Sequence, residues 1–284
     1  MKLDGTDIAR RLYGELQRRV DKLKQKNITP HLVVILVGDH PASVAYVSLK
    51  QKKGEEIGAK VTILNYETDV TTDELAEKIE LLNDDPFVHG ILVQRPLPDQ
   101  IDITQLEMTT DPEKDVDGFH PNSPFTLPLP LAVVRMLEEV HSSQEKTKQS
   151  FKQWLQTQKI VLLGKGPTGG GPIIAYLKKL DVTPELVDSK TTSPEKILKQ
   201  ADIIISAVGR QNTIKPNDLK KGVVLISVGI NRGENKKLHG DYEVEEIKDI
   251  SSYYTPTPGG VGPVNVAVLM ENLLTATERQ TKNA

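Results

Sequence analysis

Apolar, β-branched runs alternate with helical patterns along this chain, and that alternation constrains the fold more than any other feature. In the first series, strands are predicted over 31–38, 60–65 and 88–94, with helices over 42–57 and 72–84. Thr71 and Thr72, followed by Asp73 and Glu74, offer a capped start for the second helix. Strand–helix–strand alternation favours a parallel sheet with right-handed crossovers.

A helix is predicted over 131–140, and a second series of strands and helices begins at residue 159. In this series, strands are predicted over 159–163, 185–188, 202–206 and 222–227, and helices over 172–180 and 264–280. The 284 residues suffice for two domains, so the predicted fold class is α/β with two domains, the second of them Rossmann-like. Residues 141–158 are either a linker or a solvated helix, and Trp154 is expected to dock this segment.

Composition excludes several function classes. The net charge of −3 lacks the basic field that a nucleic-acid binder needs. The absence of cysteine removes disulfides, thiolate nucleophiles and thiolate metal ligands, and the six histidines show no metal-binding spacing. No apolar run reaches the length of a membrane span and the N-terminus lacks a signal core, so we expect a cytoplasmic protein with no metal, nucleic-acid or membrane partner.

A glycine-rich turn joins the first strand and helix of the second series. Gly164, Lys165 and Gly166 begin the pattern G-x-G-x-x-G, which allows a pyrophosphate to approach the backbone at a helix N-terminus. The pattern indicates a dinucleotide site, and a purely structural turn is the alternative. Asp188 ends the next strand, where a carboxylate favours the ribose hydroxyls of NAD over a 2′-phosphate.

Neighbouring groups oppose that preference. Lys165, Ser189 and Lys190 could hold the 2′-phosphate of NADP through positive charge and a hydroxyl. Asp188 could equally be a solvated strand end. The residues alone therefore leave NAD and NADP open.

The first series contains the candidate chemical centre. Tyr46 and Lys50 are four residues apart and share one helix face, where a partly desolvated lysine becomes a tunable acid or base. Gln94 closes the third strand, and its amide can both donate to and accept from a heterocycle. Asp115 and Asp117 could accept paired hydrogen bonds from an amino-pyrimidine edge. The alternatives are a solvated helix face, a plain strand terminus and ordinary turn aspartates.

Taken together, the motifs resemble those of the bacterial methylenetetrahydrofolate dehydrogenase/methenyltetrahydrofolate cyclohydrolase (FolD) family. The matching stretches cover nearly the whole chain and are VGDHPASVAYVSLKQKKGEEIG (37–58), GILVQRPLP (90–98), PEKDVDGFHPNS (112–123), SVGINR (227–232) and YTPTPGGVGPVNVAVLMEN (254–272).

The resemblance implies a role for each site residue. Lys50 would be the central catalytic residue, Tyr46 would orient it and the substrate, Gln94 would tune it, and Asp117 would anchor the pterin ring. The folate-lining loop would comprise Pro258, Gly259, Gly260, Val261 and Gly262. The cofactor contacts would be Gly164, Lys165, Gly166, Asp188, Ser189 and Ile230.

The resemblance also implies an organisation and an activity. Residues 1–120, completed by a C-terminal helix at about 265–284, would form the folate-binding catalytic domain. Residues 121–264 would form the Rossmann-like NAD(P)-binding domain, with a cleft between the two and a homodimer built through the cofactor domains. The protein would oxidise 5,10-methylenetetrahydrofolate with NADP, NAD being the alternative, and hydrolyse the methenyl product to 10-formyltetrahydrofolate.

Several positions depart from the family pattern. Gly166 replaces a serine, Asp188 a histidine, Ser227 an aspartate and Arg95 an apolar residue, and Leu127-Pro128-Leu129-Pro130 stands for Pro-Cys-Thr-Pro. Most of these changes concern the cofactor half. A dehydrogenase without cyclohydrolase activity and a non-catalytic dinucleotide-binding module therefore remain as alternative functions.

Overall fold

The computed structural model describes residues 1–144, 148–233 and 237–282. The chain divides into two compact units, which we name by their sheets. The three-strand unit comprises Arg10–Pro128 and Val266–Ala284, and the five-strand unit comprises Met1–Ala9 and Leu129–Asn265. Among the described helices, none combines the length and apolar character required to cross a membrane.

The three-strand unit is built around a parallel sheet of order β2-β1-β3. Its elements are α1 (Gly5–Lys24, from Arg10 onward), β1 (His31–Val37), α2 (Pro41–Glu56), β2 (Lys60–Tyr66), α3 (Thr72–Asp84), β3 (Gly90–Val93), α4 (Ile103–Thr109) and α10 (Val261–Lys282, from Val266 onward). The helix predicted over 72–84 has these same bounds, and Thr71 and Glu74 close a reciprocal capping box at its start.

Both faces of this sheet are covered. Leu32, Val34 and Leu36 pack on one face with apolar residues of α1, α2 and α10, including Leu16, Val47 and Leu269. Val33, Ile35 and Val37 pack on the other face with residues of α3 and α4, including Leu75 and Leu106. Because alternate residues of a strand point to opposite faces, a strand buried on both sides is apolar along most of its length, as β1 is from Leu32 to Val37.

The five-strand unit contains a parallel sheet of order β10-β7-β6-β4-β5. Its elements are α5 (Pro128–Ser142), α6 (Phe151–Thr157), β4 (Ile160–Leu163), α7 (Gly170–Lys179), β5 (Glu185–Val187), α8 (Pro194–Leu198), β6 (Ile203–Ser206), β7 (Val224–Ser227), β8 (Asn231–Arg232), β9 (Leu238–His239), α9 (Val244–Ile247) and β10 (Tyr253–Tyr254). The strands β8 and β9 form a separate antiparallel pair, and Trp154 of α6 is buried as expected.

Residues 1–9 lie in the five-strand unit, whereas the sequence analysis placed them in the first domain. The backbone causes this difference: the Leu3 N–H donates to the Tyr254 carbonyl at 2.8 Å, and the Tyr254 N–H donates to the Met1 carbonyl at 3.0 Å. These residues therefore extend the edge of the five-strand sheet beside β10. Backbone pairing of this kind leaves no pattern of side chains in the sequence.

Candidate functional site

The sheet of the three-strand unit has a topological switch point between β1 and β3. The first strand lies between the other two, so the connections leaving the carboxyl ends of β1 and β3 diverge there, and such crevices bind ligands in open α/β sheets. The helix α2 follows β1, and Gln94 directly follows β3. This topology brings Lys50 and Gln94 together across 44 positions of sequence.

Lys50 is a buried amine that donates a hydrogen bond to a neutral acceptor. The residue is only 4% exposed, and its Nζ atom lies 2.8 Å from Oε1 of Gln94. Burial lowers the pKa of Lys50 to about 8, although the negative charge of Asp117 opposes this shift. A lysine in this state can hold or release a proton close to neutral pH.

Tyr46 lies one helical turn before Lys50. The Nζ atom of Lys50 is 4.8 Å from the centroid of the Tyr46 ring, which is within cation–π range. The amide nitrogen of Gln94 donates to the carbonyl oxygen of Arg95 at 2.6 Å, which fixes the amide so that its oxygen faces the lysine. The predicted group of Tyr46, Lys50 and Gln94 is thus brought together.

The KDVDG loop carries two aspartates with different environments. Asp115 organises the loop: its carboxylate accepts the backbone N–H groups of Gly118 at 3.1 Å and His120 at 2.7 Å. Burial raises the pKa of Asp115 to about 6. Asp117 is half-buried, and its removal from water raises its pKa while the positive charges of Lys50 and Arg95 lower it. Asp117 is therefore part of the Lys50 environment.

Sequence reasoning did not single out Ser43, which shares the buried face of α2 with Lys50. Ser43 lies seven positions before Lys50 on α2, and the two residues belong to its buried face together with Val47 and Gly54. The buried Ser43 hydroxyl has no hydrogen-bond partner among the described residues. The seven-residue spacing from Lys50 is the signal that could have identified it.

The glycine turn of the five-strand unit also follows a central strand. The order β10-β7-β6-β4-β5 puts the switch point between β4 and β6, and the turn leaves β4 there. Gly164 has a φ of +85°, and a Cβ on Gly170 would lie 1.9 Å from the Gly164 carbonyl oxygen. A Cβ on Gly166 would meet no heavy atom within 4 Å. The turn is closed by Gly164 and Gly170, while the backbone at Gly166 is open to a ligand.

A cavity of about 830 Å³ adjoins this turn. It is lined by all the predicted cofactor residues except Ile230, namely Gly164, Lys165, Gly166, Asp188 and Ser189. Ile230 lies after β7 and is 53% exposed. A large cavity at a helix N-terminus and a switch point, with a close-approach turn, fits a dinucleotide.

Both carboxylate oxygens of Asp188 have a partner within the protein. Its Oδ2 lies 2.8 Å from Nζ of Lys165, and its Oδ1 accepts the backbone N–H of Lys190 at 2.9 Å and the hydroxyl of Thr191 at 3.3 Å. The hydrogen bond from Lys165, followed by that from Lys190, holds the pKa of Asp188 below its usual range. Its carboxylate is therefore charged but partly neutralised, with Lys165 competing for any ligand hydroxyl.

Asp241, which sequence reasoning also missed, supports the opposite wall of this cavity. It is fully buried and accepts the Ser206 hydroxyl at 2.7 Å and the backbone N–H of Arg210 at 2.9 Å. Its own N–H donates to the Ser227 hydroxyl at 3.1 Å. These bonds fix the loop after β6, whose Val208 and Arg210 line the cavity.

The predicted folate loop lies in the five-strand unit. Gly259 has a φ of +96°, and a Cβ on Gly260 would lie 2.6 Å from the Pro256 carbonyl oxygen, so both positions require glycine. Pro258 lines a cavity of about 510 Å³ with residues of 237–245 and Thr257. In the described part of the chain, no group of three or more acidic, histidine or cysteine side chains is arranged to hold a metal ion.

Comparison with known proteins identifies the family. The catalytic-domain model of tetrahydrofolate dehydrogenase/cyclohydrolase matches residues 3–117, and the model of its NAD(P)-binding domain matches residues 130–281. The bifunctional protein FolD of Lactococcus lactis is 38% identical over 98% of this chain and 97% of its own length.

Solved structures agree with the sequence comparison. The crystal structure of the bifunctional enzyme FolD from Campylobacter jejuni has a TM-score of 0.90 and 37% identity, covering 98% of this chain and 99% of that one. The Trypanosoma brucei dehydrogenase-cyclohydrolase, solved with NADP cofactor and inhibitor, has a TM-score of 0.88 and 29% identity, covering 99% and 98%. The predicted two-domain α/β fold is confirmed, and the chain belongs to the tetrahydrofolate dehydrogenase/cyclohydrolase family.

Proposed function

We propose that this protein oxidises 5,10-methylenetetrahydrofolate to 5,10-methenyltetrahydrofolate with a nicotinamide dinucleotide and then hydrolyses the product to 10-formyltetrahydrofolate. Its family membership supports both reactions. One observation carries the assignment of the centre: a buried lysine with a pKa of about 8 bonded to the fixed amide of Gln94. A structural lysine would normally carry a full charge with an anionic partner or lie in water.

The first reaction needs positioning more than proton transfer. A bound dinucleotide supplies a nicotinamide ring that accepts a hydride from the methylene carbon. The substrate's own nitrogens stabilise the cation that remains. We propose that Tyr46 packs on the planar substrate and that Lys50 directs its Nζ–H toward the one-carbon bridge, so that the protein holds a reactive geometry.

The second reaction needs a group that moves protons. Water must attack the methenyl carbon, and the bond from that carbon to one ring nitrogen must break. One of the two water protons goes to solvent, and the other must be carried to that nitrogen. We propose that Lys50 accepts and returns this proton at Nζ, because a pKa of about 8 populates both of its forms near neutral pH. Gln94 offers Nζ an acceptor without a charge, so it orients the lysine without restoring a high pKa.

Two further folate contacts are proposed, and each is described within its own unit. The Asp117 carboxylate would accept two hydrogen bonds from the amino-pyrimidine edge of the pterin. The residues Pro258 to Gly262 would contact the folate through backbone that Gly259 and Gly260 allow to turn sharply. The domain boundaries predicted at residues 120 and 264 remain part of this proposal.

For the cofactor we propose NADP, with NAD as the alternative. Lys165 already faces Asp188 at 2.8 Å and is 60% exposed, so it can turn to a 2′-phosphate beside Ser189 without leaving the cavity. The charge of Asp188 disfavours that phosphate. The open backbone at Gly166 would receive the pyrophosphate.

We further propose a cytoplasmic homodimer formed through the five-strand units. Membership of the tetrahydrofolate dehydrogenase/cyclohydrolase family supports this assignment. Light scattering coupled to size-exclusion chromatography should give a mass near twice the 31.4 kDa of the chain. A monomeric mass across the working concentration range would contradict it.

A paired assay tests the function directly. Purified protein is given 5,10-methylenetetrahydrofolate with NADP or NAD, while reduced cofactor and the methenyl compound are followed together. We expect turnover with little methenyl accumulation, and faster turnover with NADP. Accumulation of the methenyl compound would mean that the protein is a dehydrogenase without cyclohydrolase activity. Absence of turnover with folded protein would mean that it is a non-catalytic dinucleotide-binding module.

A further inference from the structure

A small cavity adjoins β3 within the three-strand unit. Its volume of about 30 Å³ accommodates one water molecule. The charged residues that line it are Arg95, Glu107, Asp115 and Asp117. Three carboxyl groups thus share this wall with a single guanidinium, since Arg95 is the only basic residue among the described residues that line the cavity.

Arg95 is held in place from two sides. Its guanidinium carbon lies 3.8 Å from the centroid of the Phe119 ring, and its NH2 group forms an ion pair with Glu107 of α4. The Arg95 and Glu107 side chains are only 22% and 25% exposed. Stacking and ion pairing restrict a planar guanidinium more than a lysine ammonium, so its charge has a fixed position.

We propose that Arg95 is a positioning residue that keeps the Asp117 carboxylate charged, and that it thereby favours the binding of the pterin ring. This inference rests on the proposed folate site.

Burial raises the pKa of Asp117, whereas the charges of Lys50 and Arg95 lower it, and Arg95 lines the same cavity as this carboxylate. The two cations differ in how far they keep their charge as the pH changes. Lys50 loses its charge near pH 8 and changes its protonation during the proposed hydrolysis. The guanidinium of an arginine remains protonated throughout this range. A half-buried Asp117 facing only Lys50 would lose its supporting charge whenever the lysine gives up its proton. With Arg95 present, the carboxylate can accept two hydrogen bonds in either state of Lys50.

The test is the pH dependence of KM for 5,10-methylenetetrahydrofolate in Arg95→Leu. Removing the cation should raise the pKa of Asp117, so the ratio of the variant KM to the wild-type KM should increase as the pH is lowered from 9 to the lowest pH at which both proteins stay folded. A shift of one pKa unit gives a rise of up to about tenfold. The value of kcat should change less than KM.

Two matched variants separate charge from shape. Arg95→Lys keeps a cation and should keep the wild-type pH profile, whereas Arg95→Gln loses the charge but can still donate to Glu107 and should behave like Arg95→Leu. Arg95→Gln also serves if Arg95→Leu does not fold. A KM ratio that is the same at every pH, or a lysine variant that matches the leucine variant, would overturn the inference. Failure of the proposed function would appear separately, as wild-type protein without turnover.

Discussion

The two units share a sheet topology, but the lysine at the switch point has a different environment in each. Each sheet has its first strand inside and a switch point beside it, and each presents a lysine there. In the three-strand unit, Lys50 is 4% exposed and donates a hydrogen bond to the neutral side chain of Gln94. In the five-strand unit, the Lys165 side chain is 60% exposed and pairs with Asp188. Burial gives a lysine acid–base chemistry, whereas exposure beside a carboxylate leaves it suited to binding.

The strongest test of this contrast is Lys50→Met. Loss of the buried amine should reduce the cyclohydrolase rate by about 10²- to 10⁴-fold, the usual contribution of a general acid–base group. The methionine fills a similar volume, so circular dichroism should report a retained fold. Lys52→Met, an exposed position on the same helix, is the control and should keep its activity. Retained hydrolysis in Lys50→Met would remove the lysine from the mechanism.

The contrast should also appear in stability. The pKa of Lys50 is about 8 in the folded protein and 10.5 in the unfolded chain. Between these two pH values the unfolded chain therefore binds more protons than the folded protein. The free energy of unfolding should therefore rise with pH across this window, by up to about 3 kcal/mol, and this contribution is absent below pH 8.

Denaturant titrations of wild type, Lys50→Met and Lys165→Met at several pH values measure this contribution. Only Lys50→Met should lose the rise between pH 8 and 10.5. Equal slopes for wild type and Lys50→Met would mean that the amine is better solvated than its burial indicates.

The glycine turn offers a comparison within the five-strand unit. Gly170→Ala places a Cβ 1.9 Å from the Gly164 carbonyl oxygen, so the backbone must shift, at a cost of about 2 kcal/mol. Gly166→Ala meets nothing within 4 Å and should unfold at the wild-type temperature. It should nevertheless raise KM for the dinucleotide if the pyrophosphate contacts that backbone. Unchanged KM in a stable Gly166→Ala protein would place the pyrophosphate elsewhere.

The smallest expected effect concerns cofactor choice. Asp188→Ser removes a charge from the cavity and frees Lys165, so the ratio of kcat/KM for NADP to that for NAD should rise about tenfold. Glu185→Gln is the control: it removes a carboxylate from the first residue of β5, the strand that Asp188 follows. It should leave the ratio of kcat/KM for NADP to that for NAD unchanged. If Asp188→Ser also leaves it unchanged, the carboxylate does not face the ribose.

How far the sequence predicts this molecule depends on whether the signal is local. The helix at 72–84 is recovered with its capping box because apolar spacing and caps lie within it. The helices α1 and α4 are absent from the predictions. The burial of Lys50 is also hidden, since the buried face of α2 mixes Ser43, Lys50 and Gly54 with a single valine. Its polar composition is that of a solvated helix.

The remaining site features depend on distant contacts. Gln94 meets Lys50 only because β1 and β3 are neighbours, and Asp241 reaches Ser206 from 35 positions away. No local periodicity contains such information. The resemblance to a family supplied the site residues that spacing alone could not, and it supplied them without the partners that set their chemistry.

The composition of the three-strand core has a consequence for synthesis on the ribosome. Leu32, Val34 and Leu36 of β1 share their core with Leu269, Met270 and Leu273 of α10. These strand residues are translated long before α10, which covers part of the same face. The five-strand unit, which ends at Asn265, can therefore complete its folding before the three-strand unit does. Until then, this apolar face of the nascent sheet lacks the part of its cover that α10 supplies, although α1 and α2 are already present.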